Sequence, residues 1–410
     1  MDKIVLFEDE GFAELLPLVY WRSVFELRLG RRILLDRSAQ LLGVPVSGIW
    51  TRDWIAKVAQ HRCSAPANIG VDGSTVLVNG RWVFDKAVDW PVAPRVGVVD
   101  DQVAYIVCDA ALASQLAPGD LLDPARRREM LEGLARVPAP GRMIRYPWDI
   151  VGSLAEALEN DWRDADAGVE VELDDRVILE NTEHIHIGQQ CRIHSTAAIS
   201  AADGPVFIGE GAMIGAHSLI EGPAYIAPRS RVNPHAWLHG ANSIGPACRV
   251  GGEIDGCVIQ GYANKQHDGF LGHSYVGSWV NLGAGTVNSD LKNTYGSVRV
   301  PIGGTEVDSG QMFFGAAIGD FVKTGINTTI PTGAVIGLGA TLAMAGMVPK
   351  FVPSFGWLTD DGLTRGDAPR LLDVATKMMA RRNVDMVDAE VELFLDLPTR
   401  ARMLEARADV

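Results

Sequence analysis

The sequence predicts two architectures in series, an α/β N-terminal domain and a C-terminal parallel β-helix, closed by a helical tail. Three observations carry this. Ile208, Ile214, Ile220, Ile226, Val232, Leu238, Ile244 and Val250 keep a strict step of six, a period produced by neither an α-helix nor a strand but by a hexapeptide-repeat β-helix. That step is missing from residues 1–150, where short apolar runs mix with helical patterns. After Val348 the spacing turns helical.

In chain order, Lys3–Phe7, Thr75–Val78, Arg95–Val99 and Val103–Cys108 read as strands, and Gly30–Leu42 and Asp123–Leu134 as helices. Strands and helices in this mixture suggest an α/β layer over 1–150. Arg145–Trp148 leads into a linking helix, Ile150–Trp162, within 151–170. The β-helix is expected over 171–350. Ile187, Ile193 and Ile199 precede the main run, and an insert near Asp203 shifts the frame. Phe270, Val276 and Leu282 resume it, then Met312, Ile318, Thr324, Ile330, Ile336, Leu342 and Val348, with loops between Leu282 and Met312. Glycine commonly follows the aliphatic residue (Gly188, Gly215, Gly245), as a corner with unusual backbone angles would require. A small residue four places on (Ala212, Ser218, Ala236, Cys248) is expected inside, since a narrow triangular prism has room for one large and one small group per face. Coils should stack about 4.8 Å apart. Pro349 and Pro353 are expected to stop the stack, and helices over Ala368–Arg382 and Asp388–Leu397 to cap it within 351–410.

The 410 residues carry 47% hydrophobic and 21% charged side chains and a formal charge of −14. Such a balance argues against nucleic acid or an anionic membrane as partner, and an anionic substrate would need a local basic pocket. With no membrane-length apolar run, no leader-like start and five cysteines lacking a C-x-x-C pair, the expected setting is the cytoplasm. His184 and His186 form the one metal-like spacing, H-x-H, but repeat-turn residues commonly face solvent and no metal centre is expected.

The densest polar stretch is Gly261–Thr286, where the frame skips and the backbone can leave the prism. Its Gly272-His273-Ser274-Tyr275-Val276-Gly277 and Val280-Asn281-Leu282-Gly283-Ala284-Gly285-Thr286 resemble the acetyltransferase half of the bifunctional N-acetylglucosamine-1-phosphate uridyltransferase/glucosamine-1-phosphate acetyltransferase family. The whole chain is more similar still to a group of nucleotidyltransferase-like relatives of that family. They share the pattern of Arg22–Gly30, Tyr146-Pro147-Trp148-Asp149, the Asn264–Tyr275 stretch and Met379-Ala380-Arg381-Arg382-Asn383.

The resemblance implies a left-handed β-helix, a homotrimer with sites between subunits, and acetyl-CoA or another acyl-CoA as donor to a sugar, amino sugar, sugar phosphate or nucleotide sugar. His273 would be the general base, a role suited to imidazole because its pKa lies near working pH. The Ala284 N–H would stabilise the oxyanion, Asn281 and Tyr275 would orient the sugar, Lys265 would pair with a phosphate, and Asn264 and Asp268 would belong to the substrate-binding set. Two departures stand out: His273 and Tyr275 are one residue closer than in the family motif, and its Asn-Tyr is here Asp290-Leu291.

At the N-terminus the family's glycine-rich phosphate loop corresponds to Val5–Leu18. The Leu-x-Pro-Leu tail remains, but Glu8, Asp9 and Glu10 stand where phosphates would sit. Asn79-Gly80-Arg81 takes the place of an N-G-D turn whose aspartate holds Mg²⁺, and arginine cannot ligate a cation. Arg22, Arg28, Arg31 and Arg32 are candidates to grip a phosphorylated ligand by forked hydrogen bonds, with Asn79 and Arg81 nearby. The domain is therefore expected to be nucleotidyltransferase-like but degenerate, with Mg²⁺ needed only if it is active. The alternatives are an active sugar-1-phosphate nucleotidyltransferase and a non-catalytic scaffold that binds a sugar nucleotide.

Overall fold

The computed structural model describes residues 3–405 apart from 72, 87, 89, 91, 92, 164, 165 and 345. The N-terminal sheet runs in the order Gly48–Trp50, Lys3–Phe7, Thr75–Asn79, Gln102–Cys108, Arg95–Val99, Ala135–Pro138. Its first three strands are parallel. Alternation splits Lys3–Phe7 between two cores: Ile4 and Leu6 join the larger one, Val5 and Phe7 the smaller one beneath helix Ala110–Gln115.

From Gly168 onward the chain coils. The first face stacks ten parallel strands, from Gly168–Val169 to Phe351–Val352. Its interior column is Ile187, Ile208, Ile226, Ile244, Ile259, Val276, Ile318, Ile336 and Val352. The second face carries Ile193, Ile214, Val232 and Val250, and the third Leu179, Ile199, Ile220, Leu238, Ile254 and Leu271. Ala212, Ser218, Ala236 and Cys248 are buried beside them.

Several expectations are corrected. The glycines after the aliphatic positions do not supply left-handed angles. Those fall three residues after the aliphatic one, at His217 (φ 59°), His235 (φ 62°) and Trp279 (φ 61°). The glycines are needed because the next coil passes directly over them: a Cβ on Gly215 would lie 2.3 Å from Pro234 N, and one on Gly245 2.1 Å from Gln260 O. Met312 is 49% exposed because it lies in the loop before strand Ala316–Ile318, and Leu271 rather than Phe270 points inward because the frame slips where the coils shorten after Val250. The long loop after Asn288 includes a hairpin, Arg299–Ile302 with Thr305–Asp308, that packs on the N-terminal core. Pro349 and Pro353 do not end the stack, since both flank rather than interrupt the pairing strand Phe351–Val352. Gly356–Thr359 then adds another strand, closed by antiparallel Gly362–Arg365. The linking helix starts at Pro147 and breaks into Pro147–Gly152 and Leu154–Asp161. Gly30 (φ 63°) turns a short hairpin, so the helix expected there begins at Leu34.

Two layers cover the β-helix. The N-terminal core contacts its first face through Tyr225, Val258, Tyr275, Ala317 and Val335. Helices Ala368–Ala380 and Asp388–Glu405 pack over the next corner, against Trp279, Phe321 and Phe355. Among the described residues no helix is long and apolar enough to cross a membrane.

Candidate active site

His273 sits at the corner between the third and first faces, after strand Phe270–Gly272, with left-handed backbone angles (φ 41°). Its side chain is 27% exposed. Nδ1 lies 2.8 Å from Asp290 Oδ2, and the ring stacks on half-exposed Phe313 at 5.2 Å. An ionised Asp290 carboxylate only accepts, which favours the tautomer with its proton on Nδ1, and Nε2 has no hydrogen-bond partner among the described residues. Gly256 (φ 64°) makes room for this edge of the ring, since a Cβ there would approach Nε2 to 3.0 Å. Phe314, next to Phe313, meets Trp148 edge-on, so the Tyr146–Asp149 motif braces the loop beside the imidazole.

Asp290, in the sequence only a departure from the family motif, is the partner of the imidazole. Its place in the next coil, beyond Val287–Asn288, brings it under His273. Asp255, from the preceding coil, adds a third group. Ligand-type atoms of Asp255, His273 and Asp290 all lie within 4.8 Å of one another, close enough to hold a divalent cation. His239 extends the row, with Nδ1 3.7 Å from Asp255. The H-x-H histidines do not join it: His186 stacks on Phe207 and its Nδ1 meets the Asp166 carbonyl.

The other sequence-selected residues scatter. Ala284 and Asp268 line a recess of about 560 Å³ with Arg231 and His267, at the corner between the second and third faces. The third-face strand separates that corner from His273, roughly 10 Å at 3.3 Å per residue. Asn281 and Asn264 stack on the second face, 3.2 Å apart through their amides. Tyr275 is 1% exposed, so it does not reach a substrate. Its hydroxyl donates to Gln260 and accepts from the Arg28 N–H at 2.8 Å, joining the two domains.

Lys265 is likewise turned inward, 3% exposed, in the interior column after Val250. Its ammonium donates to the carbonyls of Gly251 (3.0 Å) and His267 (2.5 Å), and burial pulls its pKa down to about 8. The folded lysine releases its proton near pH 8 and the unfolded one near its ordinary 10.5, so unfolding takes up a proton between those values. Stability therefore rises with pH across that window. Lys323, also drawn to about 8 by burial, contributes similarly. We predict that Lys265→Met matches or exceeds the wild type in urea unfolding at pH 7, and that the rise in stability between pH 8 and 10 falls by about half. Unfolding at pH 7 easier by more than about 2 kcal/mol would contradict a strained interior ammonium.

The N-terminal candidates are all engaged in contacts within the protein. Strands Lys3–Phe7 and Thr75–Asn79 end side by side, where open α/β sheets bind ligands. Here Arg81, 2% exposed, fills that place. Its guanidinium clasps Asp9 at 2.8 and 2.7 Å and passes so close to Gly11 that a Cβ there would lie 2.4 Å from its carbon. Asn79 is buried, bonding Asp9 and the Val103 carbonyl. The charged lining of the adjoining crevice, about 940 Å³, is Glu10, Glu14, Asp100 and Asp123 with Arg81 and Arg145. Arg22 is buried on Asp320 and Ser278, Arg28 holds Gln260 and Arg31 by their carbonyls, and Arg31 and Arg32 pair with Asp166 and Asp161. Each of the four already makes polar contacts within the protein.

Together these features define an α/β domain carried on a parallel β-helix. Residues 4–168 match the model of a family described as sugar nucleotidyl transferase. A bifunctional sugar-1-phosphate nucleotidylyltransferase/acetyltransferase of Sulfurisphaera tokodaii is 35% identical over 100 residues, 24% of this chain and 25% of that protein. The bifunctional protein GlmU of Methanococcus vannielii is 35% identical over 98 residues, 24% of this chain and 23% of the relative. The chain thus spans about a quarter of the length of these curated relatives. Among solved structures, UDP-N-acetylglucosamine acyltransferases from Francisella novicida (15% identity, TM-score 0.32, 58% of this chain and 90% of that one) and Campylobacter jejuni (13%, 0.26, 55% and 95%) are similar.

Proposed function

We propose that this protein is an acyl-CoA-dependent transferase acting on a sugar or sugar-nucleotide acceptor, with His273 as general base. The observation that carries the reading is the His273–Asp290 pair on an accessible corner, its Nε2 without a hydrogen-bond partner among the described residues and beside an exposed aromatic ring. Nε2 removes the proton from the acceptor amine or hydroxyl as that atom attacks the thioester carbonyl. The new N–C or O–C bond forms, the C–S bond breaks, and the imidazolium returns its proton to the departing thiolate. Phe313 offers an apolar wall for the pantetheine arm.

Ala284 as oxyanion donor cannot act on the same chain's His273 across the strand between them, so the site is completed by a second copy in a homotrimer. Apolar side chains exposed on the third face and its corner, Ile178, Trp237, Ile326 and Met347, suit such an interface. The N-terminal domain serves as a shape that holds the first face and the loop beside His273. Mg²⁺ does not fit its crevice as built, because Arg81 occupies Asp9.

The test is wild-type turnover. Thiol release from acetyl-CoA and longer acyl-CoAs is expected with at least one amino-sugar or nucleotide-sugar acceptor, and a chelator should leave the rate unchanged. A rate abolished by chelation would make Asp255, His273 and Asp290 a metal centre. The family match over 4–168 favours a second reading, sugar-1-phosphate nucleotidyl transfer. Pyrophosphate release from NTP, Mg²⁺ and a sugar phosphate would establish it, and we expect none.

A further inference from the structure

The C-terminal helices do more than shield the coils. Helix Ala368–Ala380 is anchored on the corner by Leu371, Ala375 and Met379, which leaves its C-terminal end above the second face. There Arg381 and Arg382, from the Met379–Asn383 motif, line a recess of about 290 Å³ with Arg249, Lys323, Asn264 and Asn281. Four cationic groups and no carboxylate line it.

This contrasts with four of the five arginines that are buried among the described residues, Arg28 being the one that meets only carbonyls. Arg22, Arg37, Arg52 and Arg81 each have a carboxylate partner. Arg382 is held by the Ala247 carbonyl (2.9 Å) and Asn264 Oδ1 (2.6 Å), an arrangement that aims the guanidinium without neutralising it. No ion pair or side-chain hydrogen bond engages Arg249 or Arg381 among the described residues. Burial, then repulsion from Arg249 and Arg381, lowers the pKa of Arg382, and burial lowers that of Lys323 to about 8. Attraction to the helix C-terminus accounts for basic residues at 381 and 382. It does not account for Arg249 and Lys323, which project from different coils of the second face. In a chain of charge −14, mutually repelling cations gathered in one recess call for an anion.

We propose that this recess is a phosphoryl-binding site, built jointly by the second face and the C-terminal helix, for a nucleotide or sugar phosphate. Guanidinium forks match phosphate oxygens two at a time, and the paired carboxamides of Asn264 and Asn281 add hydrogen-bonding groups. The stacked rings of Tyr262 and Trp279 (4.3 Å, 17°) form one wall. The volume lies near the lower end for small-molecule sites, enough for the phosphate end of a larger ligand.

The experiment is calorimetric titration of the full chain with pyrophosphate, UDP, ADP and CoA at low and high salt. Wild type is expected to bind at least one of them at millimolar concentration or tighter, more weakly at high salt. The double variant Arg249→Gln/Arg381→Gln should lose about tenfold or more in affinity, since it removes charge-assisted contacts. Its ligand-free melting temperature should be unchanged or higher, because two repelling charges are gone. Preference for UDP would point to a nucleotide-sugar acceptor, preference for CoA and ADP to the acyl donor, and equal binding of pyrophosphate to a phosphoryl subsite alone. His273→Asn should bind as wild type does, which separates this site from the acyl-transfer reading. No binding by any of the four, or undiminished binding by the double variant, would overturn the proposal.

Discussion

Replacing His273 by asparagine is expected to lower thiol release by about 10²–10⁴-fold, the usual contribution of a positioned general base. Asparagine is the informative choice because residue 273 has φ 41°, a conformation it tolerates better than alanine. Strain is thereby kept apart from chemistry, and circular dichroism and melting should stay close to wild type. Asp290→Asn should cost roughly 10²-fold or more, because an amide no longer selects the Nδ1-protonated tautomer. Together the two substitutions should cost little more than His273→Asn alone, since the carboxylate acts through the ring. Full activity in His273→Asn would end the assignment. Full activity in Asp290→Asn alone would reduce the aspartate to a structural hydrogen bond.

Arg81→Met should destabilise the protein by about 3–5 kcal/mol in urea unfolding, since it strands the buried Asp9 carboxylate. Burial alone would raise the Asp9 pKa, but Arg81 and Asn79 bring it below its ordinary 3.8. A depressed folded pKa means that the pair contributes its stability above about pH 4 and loses it as pH falls below that. Arg81→Met should accordingly lose part of the wild-type sensitivity to acid. Asp9→Asn/Arg81→Met should recover much of the stability, because no charge is then left unpaired. Neither variant should gain pyrophosphate-releasing activity, since Glu10, Glu14, Asp100 and Asp123 still outnumber Arg145 in the crevice. A neutral Arg81→Met would show that the guanidinium is dispensable and the crevice more open than its contacts indicate.

The coil architecture was readable because a prism repeats one requirement, an aliphatic side chain facing the axis every sixth residue. Where the requirement is relaxed the sequence misled. Lys265 satisfies its ammonium on two carbonyls and so hides an interior position behind a charged residue. Tyr275 sits on an outer face that only another domain could bury, and periodicity says nothing about which face is covered. The Asp290 contact joins neighbouring coils and follows a frame slip, so only the stacking register reveals it. Arg81 was recognisable as unsuited to Mg²⁺ from its chemistry, but its partner Asp9 lies 72 residues away and no local spacing links them. The cations that line the recess over the second face come from three distant segments in the same way.

A structure of the protein with bound CoA tests the central claim most directly. The account predicts the thiol within about 4 Å of His273 Nε2, a near-attack separation, with Phe313 along the pantetheine arm and Ala284 of a second copy facing the thioester position. CoA bound away from His273, or a third face closed by a neighbour that leaves no path to Nε2, would contradict it.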